Sequence, residues 1–203
     1  MRKQVYISAD YDQNDGDRVV VEELNKWGED NKHKVNFVDM AKVNSGTVAD
    51  EPDCRICDLK AEFNRQINAS SAVIFVVGNK TASRTAGNGC ERCRKSQSEC
   101  FCTPYKSNAF GQKQCKIANT SVPNANGNFG NINSFSYLRH EFEQAKKKGK
   151  DIIIVYNSLR NEGTWLPSYM NGFEDYASPF WTYNAAGEKV GNYQLIKKLL
   201  GFD

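Results

Sequence analysis

Tyr137 and Glu141 stand four residues apart in the stretch NSFSYLRHEFEQAKKKGKDIIIVYNS, residues 133–158. At about 100° per residue that spacing puts both on one face of a helix. The apolar stripe of the same helix is Phe135, Leu138, Phe142 and Ala145. Glu141 falls roughly 80° from the centre of that stripe, on the shoulder of the buried face. A carboxylate there can turn its charge to a ligand while its helix packs on a sheet. It can equally be a salt-bridged helix carboxylate. The histidines, His33 and His140, form no dyad with it, because His140 points about 100° away on the helix. Both read as surface residues.

Cysteines are the second group able to do chemistry. Cys54-x-x-Cys57 and Cys90-x-x-Cys93 have the spacing of metal knuckles, and Cys100, Cys102 and Cys115 complete a local cluster. Four thiolates around zinc would give a polar segment the fixed point that it lacks, since metal binding is also folding free energy. The expectation is a structural zinc on four of Cys90, Cys93, Cys100, Cys102 and Cys115. A second arrangement joins Cys54 and Cys57 to Cys90 and Cys93, and reduced thiols without metal are the third. Cys57 can also be a buried helix residue.

Elements that would position these groups are legible in the apolar pattern. With 203 residues, 39% of them hydrophobic, the chain suits one α/β domain, 1–203, interrupted by an insertion at 80–133. QVYISA (4–9) reads as the first strand, followed by a helix with Val20, Leu24 and Trp27 on one face. KVNFVD (34–39) is the second strand. A helix capped by Asp53 follows, with Ile56, Leu59, Phe63 and Ile67 as its stripe. SAVIFVVG (71–78) and DIIIVYN (151–157) are apolar throughout, as strands covered on both faces are. Ser134 would cap the helix between them. A short strand is expected around Pro179–Tyr183, and a last helix should bury Tyr193, Ile196, Leu199 and Leu200. The insertion shows neither helical nor strand period.

In open parallel sheets, ligands bind outside the carboxyl ends of the strands. Ser8, Asp10 and Tyr11, in the loop after the first strand, are therefore candidate pocket residues, with simple turn chemistry as the other reading. Residues 80–133 hold eight Lys/Arg against two Glu, a net +6, so the remainder of this +3 chain is −3. That basic segment fits either an anionic partner or a solvated loop. No run approaches a membrane span. The N-terminus lacks a secretory h-region, so the expected compartment is the cytoplasm, with its cysteines reduced or metal-bound.

VYISADYD, AVIFVVGNKTASR and SYLRHEFEQAKKKGKDIIIVYN together resemble the TIR-like domains of bacterial antiviral systems of the Thoeris type, within the TIR superfamily. The likeness spans the α/β elements from 3 to about 157 and leaves out the cysteine-rich insertion. It implies a flavodoxin-like fold: a five-stranded parallel sheet with helices on both faces. It also implies cleavage of the nicotinamide–ribose bond of NAD. The family carries an aromatic-x-x-x-Glu on the helix after the third strand, which maps to Tyr137 and Glu141, with Tyr in place of the usual Trp. Glu141 would then be the catalytic acid, with Ser8, Asp10, Tyr11 and Tyr137 around the NAD. In the family the ADP-ribose-derived products signal to a downstream effector protein, and self-association accompanies activation.

Two other functions compete. A catalytically silent TIR-like module would bind a nucleotide or a protein through the same crevice, but it has no use for an acid facing an anionic cofactor. A zinc-stapled nucleic-acid binder would want aromatics interleaved with its basic residues. The insertion offers only Phe101, Tyr105, Phe110 and Phe129, so nucleic acid is not the expected partner.

Overall fold

Strands with every side chain buried need cover on both faces, and two packed layers of helix provide it. The computed structural model describes residues 3–10, 17–29, 35–39, 55–84, 102–107, 113–117 and 136–202. Strands β1 (Lys3–Ser8), β2 (Val35–Asp39), β3 (Ala72–Val77), β6 (Asp151–Tyr156) and β7 (Ala177–Pro179) form one sheet in the order β2-β1-β3-β6-β7. Every pairing in it is parallel. Counting only its own strands, this is the flavodoxin-like order 2-1-3-4-5, as the resemblance implied. β3 lies beside β6 in register from Ala72↔Asp151 to Val77↔Tyr156.

The period of two along each strand sorts side chains between two cores. Val5, Ile7, Ile74, Val76, Ile153 and Val155 face helix α1 (Asp17–Glu29) and the short C-terminal helix α4 (Tyr193–Leu199). Tyr6, Val73, Phe75, Val77, Ile154 and Tyr156 face α2 (Arg55–Ala69) and α3 (Tyr137–Lys147). α3 docks through Leu138, Phe142 and Ala145, all buried. Leu138 and Phe142, large apolar side chains removed from water, each stabilise the packing by about 1.5–3 kcal/mol.

Several expectations need correction. α3 is capped by Ser136, whose extended backbone lets its side chain accept from the Arg139 N–H at 3.0 Å. Leu199 is 40% exposed, because Ile196 and Leu200, one turn apart, already fill the contact between α4 and the core. The strand expected at Pro179–Tyr183 is two short pieces: β7, which joins the parallel sheet, and β8 (Trp181–Tyr183), which pairs antiparallel with β9 (Lys189–Gly191). The cysteine-rich segment contains a hairpin, β4 (Cys102–Ser107) with β5 (Lys113–Ile117). Its register shifts between Thr103 and Lys106, where Pro104 sits. Proline is confined to edges and bulges in sheets, which is why this stretch shows no strand period. Tyr11, Asp53, Ser134 and Phe135 lie outside the described residues, as do the side chains of Ile56 and Leu59.

Candidate functional site

Parity along β1 places Tyr6 and Ser8 on the face that carries α2 and α3, with Asp10 two residues further toward the carboxyl edge. α3 starts at its Ser136 cap and returns toward the amino end of β6, so Glu141 comes to face β1. The Tyr6 phenol donates to Glu141 Oε1 at 2.6 Å, and the Ser8 hydroxyl donates to Oε2. Both hydroxyls belong to fully buried residues.

Glu141 is only 1% exposed, which corrects the half-exposed shoulder expected from the helical wheel. The irregular tail after β6 packs on the same helix: it lays Tyr169 and Phe173 along α3, with ring centroids 5.9 Å and 5.2 Å from that of Phe142, and Tyr169 lies near enough to feel the Glu141 charge. A wheel records angles on one helix and not what a distant segment packs against it. The same reasoning corrects His140. It is buried, and its Nε2 lies 3.0 Å from Asn64 Oδ1 of α2. One turn on, Gln144 Nε2 donates to Asn68 Oδ1 at 3.0 Å, so this face of α3 meets α2 and not water.

Burial pushes the Glu141 carboxyl up to about 8, opposed by the hydroxyls of Ser8 and Tyr6, with the like charge of Asp10 adding to the rise. Near neutral pH the group can therefore hold or release a proton, which an ordinary surface glutamate does not do. Tyr169, on the 3₁₀ turn Ser168–Met170, belongs to the same polar cluster. Its phenol is pushed up by burial, and the Arg139 guanidinium lies 5.6 Å from its ring centroid.

Among the expected pocket residues, Ser8 touches Glu141 and Asp10 acts on it through charge. Tyr137 shares the helical face of Glu141, yet its ring packs edge-on against Phe63 at 5.6 Å, within the apolar layer. Tyr6 is the residue that sequence reasoning missed. Its signal was the period of two running back from Ser8, masked because tyrosine in a strand reads as core.

Of the cysteines, Cys57 on α2, Cys102 on β4 and Cys115 on β5 lie on described elements, while Cys54, Cys90, Cys93 and Cys100 do not. Cys102 pairs with Ile117, which sets Cys115 two positions from the partner of Cys102 on the facing strand. Among the described residues no group of three or more His, Cys, Asp or Glu is arranged to hold a metal. Among the same residues no helix is long and apolar enough to cross a membrane.

No protein-family model matches the chain, and no curated protein matches it. Among solved structures, a crystal structure of a prokaryotic SEFIR domain aligns over 98% of this chain and 94% of that one, at 12% identity and a TM-score of 0.45.

Proposed function

We propose that the chain is a TIR-like enzyme that cleaves the nicotinamide–ribose bond of NAD, with Glu141 as its catalytic carboxylate. Its ADP-ribose-derived product would signal to a downstream effector protein in antiviral defence. The observation that carries this reading is the environment of Glu141. A carboxyl group kept for an ion pair would sit beside a cation. Glu141 is held instead by two hydroxyls, and the charge that raises it, that of Asp10, has the same sign.

The chemistry suits one carboxylate. Nicotinamide leaves from a cationic pyridinium: the C–N bond electrons return to the ring, which departs neutral, so no general acid is needed as it is in two-carboxylate glycosidases. What remains is an oxocarbenium-like ribose, which a preorganised negative charge stabilises until water or the adenine ring captures it. Free Glu141 is mostly neutral at pH 7, since it titrates at about 8. The pyridinium of an arriving NAD is the opposite charge that favours ionisation. The acid limb of the pH–rate profile should therefore lie near pH 8 in kcat/KM and lower in kcat, because the first reports the free enzyme and the second the complex. At 1% exposure the carboxyl is sealed from solvent. In this reading turnover requires that its cover move.

Glu141→Gln keeps size and hydrogen-bonding reach but removes the charge. It should lower NAD consumption by about 10²–10³, read as nicotinamide and product release by mass spectrometry from stressed cells expressing each form. A variant that folds and consumes NAD at the parent rate would end the proposal. A second reading, a silent TIR-like binding module, is favoured by one observation: both carboxyl oxygens are already engaged, so Glu141 also ties α3 to β1. NAD binding by the parent in calorimetry, without nicotinamide release under any activating condition, would select it.

A structural zinc belongs to the same proposal, held by four of Cys90, Cys93, Cys100, Cys102 and Cys115. The hairpin register, which brings the positions of Cys102 and Cys115 together, supports it. Zinc would there supply folding energy and no chemistry.

A further inference from the structure

The layer that holds Tyr6 is apolar, with Phe63, Phe75, Phe142 and Ile154 among its buried members. Phenylalanine would fill that layer equally well. A tyrosine there carries an O–H that must find a partner or bear the cost of desolvation. It finds one 135 positions away in sequence, at Oε1 of Glu141, 2.6 Å distant. Tyr6 is 0% exposed, and the contact its hydroxyl makes in the site is with Glu141.

Ser8, two residues along the same strand, holds the other oxygen. Two donors on one rigid strand fix the plane of the carboxyl group, whose terminal torsion is otherwise broad. We propose that Tyr6 is a positioning residue that orients the Glu141 carboxyl and sets when it becomes charged. The inference rests on Glu141 being the reactive acid. A hydroxyl donating to a carboxylate favours the charged form, so Tyr6 and Ser8 counter burial and the charge of Asp10. The groups that face Glu141 are Tyr6 and Ser8 from β1, Asp10 just past its end and Tyr169 from the 3₁₀ turn, with Arg139 and His140 adjoining it on α3.

The test is Tyr6→Phe with ¹³C-labelled glutamate, the Glu141 carboxyl resonance being assigned by its loss in Glu141→Gln. Without the phenolic donor the titration midpoint of Glu141 should rise by roughly one to two pH units, the effect of one hydrogen bond to a charged group. The acid limb of kcat/KM should move with it. A merely structural tyrosine would change melting temperature and leave both midpoints where they were, and that result overturns the inference. Should Tyr6→Phe fail to fold, ring-fluorinated tyrosine at position 6 is a stronger donor of nearly the same shape. It should move the midpoint down, and an unmoved midpoint again overturns the role. The resonance needs no turnover. A shifted midpoint in a protein that never consumes NAD therefore keeps Tyr6 and removes the NAD reading, while an unmoved midpoint in an active enzyme does the reverse.

Discussion

Glu141 combines a helical position that packs on a sheet with a group that resists burial in its charged form. Its folded value of about 8 lies above the ordinary 4.5. Its contribution to stability is accordingly full below about 4.5 and is lost as pH rises through about 8. Each pH unit between those two values is worth about 1.4 kcal/mol. Glu141→Gln, neutral throughout, should melt like the parent near pH 5 and above it near pH 9, with calorimetry at the two pH values as the check. Equal pH slopes in parent and variant would show that the carboxyl is not held neutral. Asp10 raises Glu141 through like charge, so Asp10→Asn should move the Glu141 carboxyl resonance midpoint down, opposite in sign to Tyr6→Phe. Glu141 was legible as a candidate because a carboxylate is out of place beside a buried helix face, and Ser8 because it stands at the carboxyl edge of a parallel sheet. Tyr6 and His140 were not, because each is defined by a partner on another element.

Elements meet at the carboxyl edge of the sheet through one glycine as well as through hydrogen bonds. A Cβ at Gly78, just past β3, would lie 2.5 Å from Asp17 Oδ1 in the first turn of α1. Asp17 Oδ1 accepts from Asn157 Nδ2 at 3.1 Å, and Asn157 Oδ1 accepts from Trp181 Nε1 at 2.8 Å. That chain of bonds ties α1 to the end of β6 and to β8, on the face opposite Glu141. Gly78→Ala should displace the buried Asp17 and cost about 1–3 kcal/mol, read from the midpoint of urea unfolding. A midpoint unchanged from the parent would mean that the carboxylate yields freely. The strand stripes and most helix faces could be read in advance, since periods of 2 and 3.6 are local properties. The cap at Ser136 and the exposure of Leu199 could not, because they depend on where a helix enters and how much core is left for it.

At the scale of the whole molecule, the chain separates an apolar parallel sheet from a basic, cysteine-rich insertion that enters between β3 and α3. If zinc staples that insertion, protein purified without chelators should carry about one zinc per chain, and Cys102→Ser or Cys115→Ser should lose it. Elemental analysis finding no metal would leave the thiols reduced and the insertion without its staple.

The parallel sense of the sheet and the division of side chains between two cores follow from local pattern, while the flavodoxin-like arrangement was what the family resemblance implied. Sequence by itself therefore determined a parallel α/β sheet and pointed to Glu141, with Ser8, Asp10, Tyr11 and Tyr137, at its carboxyl edge. Only the tertiary structure decided that Glu141 is sealed and held near neutrality. Three segments far apart in the chain make that environment: Tyr6 and Ser8 on β1, α3 itself, and the aromatic tail at 169–173. Burial and its pull on a carboxyl group are sums over all of them, and no spacing within one segment contains that sum.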